Sequence, residues 1–362
     1  MQRPLAGSGQ GREKADGEEE ELLHGPLLDF KQDFTAGGQV RRDDQPAVTG
    51  PDLLSALENG LPEIERNGSV ILKNSGNTVA AVTENGYVSF DADSGEVTEI
   101  KYKGKDYLNT TPACHTNGFL PNIYRAALDN DSTEGNGRWF KLGIEDTEFV
   151  LKGFEITENS DCVTAKSDYD LKVKNKTLYK SSLYYTVYPS GQLEVKATLK
   201  KHSKDALADL PRFGVSFEIP RSFDCVKYYG RGPVENLCDI NVQSPVGIYE
   251  STVDGLFESY LKPQDNGNHG GTKWVELKAD DGRKLCIYAF PKFSFNVRHF
   301  TQKALVEARH PEDLKDMNTT VVNIDGFLRG SGTASCGPDT LEKYRFSCEE
   351  EISFRFIIST QI

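Results

Sequence analysis

The sequence predicts an all-β protein, built as a large antiparallel two-sheet sandwich. From about residue 66 onward, short runs of β-forming residues alternate with glycine, asparagine and aspartate. Asn-Ser-Gly at residues 74–76 and Glu-Asn-Gly at residues 84–86 separate three such runs, and turn residues of this kind favour tight hairpins. Helical periodicity over a long window is scarce. Many strands without intervening helices are typical of an antiparallel sandwich.

The predicted strands follow one another along the chain with few interruptions. They cover residues 69–73, 78–83, 87–91, 97–102, 148–156, 183–188, 192–199, 213–219, 225–229, 275–278, 284–290, 320–324 and 351–358. These runs are rich in β-branched and aromatic residues, which pack well on a pleated sheet. Residues 301–308 are the best candidate for a helix, and that helix would be short.

Residues 1–52 differ in composition from the rest and are predicted to be disordered or a linker. Glycine, glutamate, arginine and aspartate dominate, and residues 18–21 form an acidic block. Such a segment cannot bury enough apolar surface to offset the entropy lost on ordering. Residues 53–66 are predicted to be a linker or the remnant of a preceding domain. The sandwich is expected to occupy residues 67–362.

Composition argues against two classes of partner. The 362 residues carry a formal net charge of −13, with a pI near 5.1, which disfavours nucleic acid and anionic membranes. No run of 18 apolar residues occurs, and the first residues lack the apolar core of a signal peptide. The sequence therefore predicts a cytoplasmic protein that binds neither nucleic acid nor a membrane.

The cysteines and histidines give no sign of a disulfide framework or a metal site. The seven cysteines are spread out without a Cys-x-x-Cys pair, so we expect free, mostly buried thiols in a reducing compartment. His299 and His310 are isolated, the Asn-His-Gly-Gly run at residues 268–271 offers a flexible imidazole, and no two histidines stand at metal-ligand spacing. Lone histidines are more often structural residues than ligands.

The most informative segment is YYGRGPVENLCD, residues 228–239. The predicted strand 225–229 stops at Gly-Arg-Gly-Pro, where glycine permits a positive φ and proline fixes the next φ. Glu235, Asn236 and Asp239 follow at once and offer several hydrogen-bonding groups. From the residues alone, this loop is either an ordinary hairpin corner or the rim of a site that binds hydroxyl groups.

The charges of the same loop suggest a supporting role. Arg231 stands close in sequence to Glu235 and Asp239, and the three are predicted to form an ion-pair network that braces the loop. Direct contact of these side chains with a sugar is the alternative.

Four ordered segments resemble signatures of the C-terminal domain of glycoside hydrolase family 2 β-galactosidases. Residues 125–131, RAALDND, resemble the family's RAPLDND, and residues 228–239 resemble YGRGPxENYxDR. Residues 260–267, YLKPQDNG, resemble YxxPQENG. Residues 323–327 together with 335–338 resemble the segment just before the C-terminal strands. The order of the four motifs makes the resemblance specific.

The resemblance implies a fold and a division of labour. The fold would be a supersandwich of the galactose-mutarotase-like type, which in complete enzymes follows a catalytic (β/α)₈ barrel. This chain has no room upstream for a barrel of about 250 residues. The family's catalytic glutamates and metal ligands lie in that barrel, so we expect no catalytic residue and no cofactor on this chain. Mg²⁺ and Na⁺ are expected in the complete enzyme.

The implied function is that of a small chain, or C-terminal domain, of a β-galactosidase. Its partner would be a catalytic barrel chain that hydrolyses terminal β-D-galactosyl bonds, and the substrate would be a β-galactoside. This chain would wall and gate the galactoside pocket. A stand-alone carbohydrate-binding module and an aldose mutarotase-like protein are the alternatives. The latter requires a histidine and a carboxylate that converge on the sugar ring.

Substrate-binding positions follow from the resemblance. Asp129, Asn130 and Asp131 are expected to border the pocket, and the glycine-containing loop 131–137 after them is predicted to act as a gate. In the alternative interpretation, this is a plain surface loop in which Asp129 and Asp131 bond their own backbone. Arg125 of the same motif is assigned, with Arg231, Glu235, Asn236 and Asp239, to the supporting loop.

Ser335 and Cys336 are the other expected contacts with the substrate. Many family members have Ser-Trp here, and the tryptophan forms an apolar wall against the sugar. A flat aromatic face suits the C–H surface of a sugar, whereas a thiol cannot stack over a pyranose. Cys336 is therefore a departure from the family pattern, and a buried turn cysteine is its alternative interpretation.

Overall fold

The computed structural model describes residues 63–108, 118–131 and 137–361. The predicted N-terminal segment, residues 1–52, and most of the predicted linker 53–66 lie outside them. Within the described residues there are seventeen strands. They are β1 Ile71–Ser75, β2 Thr78–Val82, β3 Gly86–Asp91, β4 Val97–Tyr102, β5 Lys105–Asp106, β6 Leu120–Asn122, β7 Glu148–Glu158, β8 Val163–Val173, β9 Lys176–Val187, β10 Leu193–Lys201, β11 Arg212–Pro220, β12 Phe223–Arg231, β13 Val246–Thr252, β14 His269–Ala279, β15 Lys284–Arg298, β16 Thr319–Leu328 and β17 Ile352–Gln361.

Helices are few and short. The α-helices of the described part are α1 Arg138–Leu142 and α2 Gln302–Glu307. Single 3₁₀ turns occur at Asp129–Asp131, Ile144–Asp146, Asp254–Leu256, Pro311–Asp313 and Glu342–Tyr344. Among these helices, none has the length and apolar character needed to cross a membrane. The predicted helix 301–308 is confirmed, with Thr301 as its N-cap: the Thr301 hydroxyl accepts from the backbone N–H of Ala304 at 3.0 Å.

The strands form two sheets in which every pairing is antiparallel. One sheet has five strands in the order β1-β2-β3-β4-β5. The other has twelve, with a main path β13-β12-β14-β15-β17-β10-β9-β8-β7 and a branch in which β6 pairs with β11, β11 with β16, and β16 with β15. The prediction of an all-β, antiparallel two-sheet protein is confirmed.

Strand β15 belongs to both the main path and the branch. Its first half, from Lys284 to Tyr288, pairs with β14 and β17. Its second half, from Ser294 to Arg298, pairs with β16. One strand of 15 residues therefore joins the long path to the branch.

The core contains aromatic rings from both sheets. Phe90 of β3 lies against Tyr185 of β9, with ring centroids 5.6 Å apart. Phe119 stacks on Phe217 of β11 at 4.3 Å and meets Tyr185 edge-on at 6.2 Å. All four side chains are fully buried. Such large buried rings contribute strongly to the hydrophobic stabilisation of a sandwich.

Every predicted strand overlaps an observed one, but the prediction missed β5, β6, β8, β13 and the helix α1. The clearest omission is β8, whose residues alternate strictly between buried and half-buried. Its outward positions carry Lys166, Asp168, Asp170 and Lys172, and these charges dilute the apolar signal of the inward face.

The expectation that the cysteines are mostly buried is wrong. Cys286 and Cys348 are buried, whereas Cys225, Cys238 and Cys336 are exposed. The six described cysteines are all free thiols, and Cys114 lies outside the described residues. Cys225 shows the reason, because it lies on the outward-facing side of β12 while the neighbouring Val226 points into the core.

Candidate functional site

Four distant parts of the chain meet around one cleft of about 550 Å³. Its walls come from residues 125–130, 234–243, 258–268 and 331–335. Each of these stretches contains or adjoins one of the four motifs singled out in the sequence. The fold thus gathers segments that are more than 200 residues apart into a single concave surface.

The first wall is held by a buried ion pair within its own segment. The Arg125 guanidinium donates from Nε and Nη2 to the two carboxylate oxygens of Asp131, each at 2.9 Å. Its Nη1 donates to the carbonyl of Arg329 at 2.8 Å. Asp131 also accepts from the backbone N–H of Leu128 at 3.2 Å. Asp131 is fully buried and outside the cleft lining, and it supports the segment through Arg125 and the backbone of Leu128.

Asn130 links the first wall to the last one. Its Oδ1 accepts from the N–H of Ser335 at 3.1 Å and from the Ser335 hydroxyl at 2.6 Å. Its Nδ2 donates to the Ser331 hydroxyl at 3.0 Å and to the carbonyl of Gly332 at 2.7 Å. Two segments that the sequence assigned to substrate binding are therefore hydrogen-bonded to each other, and both Asn130 and Ser335 line the cleft.

Asp129 and Cys336 lie at the rim. Asp129 is exposed and lines the cleft, and its backbone N–H donates to Gln264 Oε1 at 3.3 Å. Cys336 is exposed, so the buried-cysteine interpretation is wrong, and it is not among the residues that line the cleft. Its backbone N–H donates to the carbonyl of Thr333 at 3.1 Å, which places the thiol on a surface turn. Residues 132–136 of the predicted gating loop lie outside the described residues.

Asp239 fixes the backbone of the last wall. Its two carboxylate oxygens accept from the N–H groups of Ser331 at 3.0 Å and Gly332 at 2.7 Å. Gly330 packs so closely that a Cβ there would lie 2.5–2.7 Å from the carboxylate. Only glycine allows that approach, and the hydrogen bonds to the carboxylate fix the backbone of residues 330–332.

Glu235 ties two of the walls together. Its carboxylate accepts from the N–H of Gly267 at 2.6 Å and from the hydroxyl of Tyr260. Burial raises the pKa of Glu235, while these two hydrogen bonds oppose part of that rise. The side chain is therefore a structural connection between the second and third walls and a partly desolvated acceptor at the cleft surface.

Asn236 is buried and saturated with hydrogen bonds. Its backbone N–H donates to the carbonyl of Asn268 at 2.8 Å, and its Nδ2 donates to the carbonyl of Arg231 at 3.1 Å. Its Oδ1 accepts from the N–H of Gly270 at 3.0 Å. It braces the loop from inside.

The predicted ion-pair network around Arg231 is wrong. Arg231 Nη1 donates to the backbone carbonyls of Ser244 at 3.0 Å and Asn241 at 3.3 Å. Among the described residues it forms no salt bridge with Glu235 or Asp239, whose carboxylates accept from backbone N–H groups. The physical reason is that the chain turns back at residues 241–244 and brings its carbonyls to the guanidinium. Meanwhile the two carboxylates face backbone N–H groups.

The glycines of the Gly-Arg-Gly-Pro turn are needed for close packing rather than for a positive φ. Neither Gly230 nor Gly232 has a positive φ. A Cβ on Gly230 would overlap Thr272, and a Cβ on Gly232 would overlap the hydroxyl of Tyr228. Strand β12 also continues through Arg231, two residues beyond the predicted stop.

A charged floor underlies the cleft, and sequence reasoning missed it. Buried Asp265 accepts from Arg298 Nη2 at 2.7 Å and from Gln302 Nε2 at 2.9 Å, and Arg212 Nη1 lies 3.9 Å away. Burial opposes ionisation, but the charges of Arg212 and Arg298 lower the pKa of Asp265 to about 2. The motif YLKPQDNG, which contains Asp265, was the available signal.

The cleft presents many hydrogen-bonding groups and few apolar ones suited to stacking. Carboxylates from Asp129, Glu235 and Asp265 alternate with amides such as those of Asn130 and Gln264. Tyr260 is the aromatic ring of the described lining, which contains no histidine. Such an array of acceptors and amide donors suits a ligand with several hydroxyl groups.

The chain is similar in sequence to known proteins over most of its length. Residues 83–358 match a family model described as the beta galactosidase small chain. A beta-galactosidase of Staphylococcus xylosus is 32% identical over 65% of this chain and 23% of its own length. A beta-galactosidase of Halalkalibacterium halodurans is 26% identical over 75% of this chain and 26% of its own length. The chain spans about a quarter of the length of these curated relatives.

Solved structures with a similar course of the chain have low sequence identity. A galactose mutarotase-like protein from Clostridium acetobutylicum matches 82% of this chain and 99% of its own, with a TM-score of 0.46 and 10% identity. A galactose 1-epimerase from Lactobacillus acidophilus matches 83% of this chain and 99% of its own, with a TM-score of 0.43 and 8% identity.

Proposed function

The chain belongs to the beta galactosidase small chain family, and from that premise we propose that it completes the galactoside pocket of a β-galactosidase. The cleft lined by residues 125–130, 234–243, 258–268 and 331–335 would face a β-galactoside held by a catalytic barrel of glycoside hydrolase family 2. The barrel supplies the carboxylates that hydrolyse the terminal β-D-galactosyl bond, together with the Mg²⁺ and Na⁺ of the complete enzyme. This chain supplies a wall, a rim and a docking surface.

Convergence of the four motif segments is the observation that carries the proposal. Each segment resembles a family signature by sequence alone, and all four contribute to one cleft. The Asn130–Ser335 and Asp239–Gly332 hydrogen bonds connect three of them, and the Glu235–Gly267 hydrogen bond connects the fourth. A chance resemblance would give no reason for such distant segments to share a surface.

Exposed apolar side chains within or next to the chain segments that line the cleft support docking of a partner. Ten large hydrophobic residues are exposed in the described part of the chain, and seven of them fall between residues 234 and 261. These seven are Val234, Ile240, Val242, Val246, Ile248, Tyr260 and Leu261. Val242 is 97% exposed and Leu261 is 91% exposed. Such a concentration of apolar surface is typical of a protein–protein interface.

The proposed enzyme is larger than these 362 residues. The chain corresponds to about a quarter of the curated relatives, so the catalytic part of the proposed enzyme lies in another polypeptide or another region. The proposal is the same in either case, because the docking surface and the cleft belong to this chain.

Hydrolysis of nitrophenyl β-galactoside tests the proposal. The chain alone, a separately expressed catalytic chain from the same source, and their mixture are assayed side by side. We expect activity in the mixture that greatly exceeds the sum of the two separate activities. No gain in the mixture, with both chains folded, would contradict the proposal.

A variant at the cleft sharpens the test. Asn130→Ala removes the bridge to Ser335 and is expected to lower kcat/KM of the complemented enzyme at least ten-fold. Asn159→Ala, in the exposed turn between β7 and β8, is the matched control and is expected to leave kcat/KM unchanged.

The two alternatives predict different results. A stand-alone carbohydrate-binding module would bind galactosides without any gain of hydrolysis in the mixture. A mutarotase-like protein needs a histidine beside a carboxylate in the sugar pocket. Since no histidine lines this cleft within the described residues, the cleft offers no support for that activity.

A further inference from the structure

A histidine and two aspartates converge at a second place, outside the cleft. Asp224 lies in β12, Asp254 begins the 3₁₀ turn Asp254–Leu256, and His299 directly follows β15. His299 Nε2 is 3.6 Å from Asp224 Oδ1 and 3.7 Å from Asp254 Oδ1. The three ligand atoms lie within 4.8 Å of one another.

The imidazole of His299 is fixed with one nitrogen facing the aspartates. The side chain is fully buried, and Nδ1 lies 3.2 Å from the carbonyl of Thr319 and 3.3 Å from the hydroxyl of Thr320. A carbonyl oxygen only accepts, so Nδ1 carries the hydrogen and Nε2 presents a lone pair. A backbone carbonyl that orients the far nitrogen in this way is the usual second-layer support of a metal-bound histidine.

Two polar atoms of this group are buried without a hydrogen-bond partner among the described residues. They are His299 Nε2 and Asp224 Oδ1, which point toward each other. Their separation of 3.6 Å exceeds the range of an ordinary hydrogen bond. Burial of two unpartnered acceptors is costly, and a cation between them removes that cost.

The separations have the size expected for ligands across a metal. Zinc binds imidazole nitrogen and carboxylate oxygen at about 2.0–2.2 Å, and two such bonds at a tetrahedral angle place the ligand atoms roughly 3.4 Å apart. The observed 3.6 Å and 3.7 Å are close to that value. Small side-chain rotations of the two aspartates, whose side chains are 47% and 63% exposed, would close the difference.

The charge balance favours a dication. The two aspartate side chains contribute the negative charge beside the Nε2 lone pair of His299. Arg221 is the neighbouring cation: its Nη2 lies 2.9 Å from Asp316 Oδ2 and 3.8 Å from Asp254 Oδ2. Arg221 and Asp316 offset each other, which leaves a charge of about −2 for the ligand group.

We propose that Asp224, Asp254 and His299 bind one divalent transition-metal cation of the zinc class. An imidazole with two carboxylates favours Zn²⁺ over Mg²⁺, whose preferred ligands are all oxygen. Exposure of both aspartates leaves an entry path and a fourth position for water. The ion would join the start of β12, the 3₁₀ turn and the end of β15, and so stabilise the fold. This inference does not depend on the proposed function.

Isothermal titration of the tag-free, full-length chain with Zn²⁺ tests the site. We expect one ion per chain bound by wild-type protein and at least a ten-fold weaker affinity for Asp254→Asn. Asp280→Asn, which removes an equal charge from an exposed turn, is the control and should bind like wild type. The unfolding temperature measured with and without Zn²⁺ should rise in wild type and in Asp280→Asn but not in Asp254→Asn.

Cobalt supplies an independent readout of the ligands. Co²⁺ bound to His299 and the two carboxylates should give a visible absorption spectrum without the thiolate charge-transfer band that cysteine ligands produce. Absence of stoichiometric Zn²⁺ binding by wild type would overturn the proposal. Binding that Asp254→Asn leaves unchanged would also overturn it, since the ion would then be held elsewhere, for example by cysteines. Mg²⁺ in place of Zn²⁺ should give no binding at equal concentration.

Discussion

Arg125 and Asp131 form a two-bond ion pair that is fully enclosed by protein. The two residues are only six positions apart, and both N–O distances are 2.9 Å. The pair closes the first wall of the cleft on itself, and the remaining guanidinium nitrogen reaches the carbonyl of Arg329 at the end of β16. The shape of the cleft therefore depends on a charge pair of which Arg125 lines the cleft and Asp131 lies outside the lining.

Replacing Asp131 by asparagine should destabilise the protein strongly. The change leaves the Arg125 charge buried without its counter-ion, which costs about 3–5 kcal/mol of unfolding free energy. Urea unfolding at pH 7 measures the loss. Asp205→Asn breaks an ion pair with Lys176 on the exposed surface and should cost no more than about 1 kcal/mol. Equal losses in the two variants would contradict the prediction.

Glu96 should make stability fall as pH rises toward neutrality. Burial, with a smaller contribution from Asp91, raises the pKa of Glu96 from 4.5 to about 7. The folded protein therefore binds this proton more tightly than the unfolded chain does. The resulting stability is complete below pH 4.5 and is lost as pH rises through 7, by about 1–3 kcal/mol.

Glu96→Gln tests this directly, because a neutral side chain has no proton to lose. The variant should be more stable than wild type at pH 8, with the difference shrinking toward pH 5 in urea unfolding. Glu84→Gln, in the exposed turn between β2 and β3, should follow the wild-type pH profile. If Glu96→Gln keeps the pH profile of stability seen in wild type, another group causes the pH dependence.

Gly330→Ala should damage the last wall of the cleft. A Cβ at residue 330 would meet the Asp239 carboxylate, which must then release the N–H groups of Ser331 and Gly332. We expect a loss of about 1–3 kcal/mol of unfolding free energy and a fall in complemented β-galactosidase activity. Gly153→Ala is the control, since the nearest atom to its Cβ would be 3.8 Å away. It should change stability by less than about 1 kcal/mol.

Val242→Asp should weaken docking without weakening the fold. The side chain is 97% exposed, so the charge costs the free chain little, about 0.5 kcal/mol or less. In a titration of the catalytic chain, half-maximal galactosidase activity should require at least ten times more of the variant. Leu341→Asp, at a hydrophobic residue that is 58% exposed and remote in sequence from this patch, should titrate like wild type. Identical titration curves for both variants would show that residue 242 does not belong to the interface.

The local sequence carried enough information for most strands but not for their lengths. The hairpin β1–β2 turns at Gly76, which has a φ of +59° and belongs to the predicted Asn-Ser-Gly turn. By contrast, β9 begins at Lys176, seven residues before its predicted start, and β15 continues to Arg298, eight residues beyond its predicted end. The extensions are polar or contain proline, and they are held by cross-strand pairing that propensity does not register.

For the candidate site, the sequence predicted the residues but not their hydrogen-bond partners. The motifs identified Asn130, Glu235, Asp239 and Ser335, all of which lie on or around the cleft. The partners of these side chains could not be read from spacing, because the acceptors and donors come from other segments. Asp239 is an example. Arg231 is close to it in sequence and was its predicted partner, whereas the observed donors are backbone N–H groups more than 90 residues away.

The histidine–aspartate group could not be predicted from the sequence, for the same reason. Metal motifs are recognised by short, regular spacing, whereas Asp224, Asp254 and His299 are separated by tens of residues. Pairing of β12 with β13 brings Asp224 next to Asp254, and His299 reaches them from the end of β15, whose second half pairs with β16. The topology of the sheet, rather than any local pattern, creates that group.

Strand β17 has a consequence for the order in which the protein can be made. It lies in the middle of the long path, between β10 and β15, yet it is the last strand along the described chain. During synthesis, the half of the path from β7 to β10 and the half from β12 to β15 each present an open edge until residues 352–361 leave the ribosome. Edges of this kind recruit other strands, so the nascent chain is vulnerable to aggregation until β17 has been made.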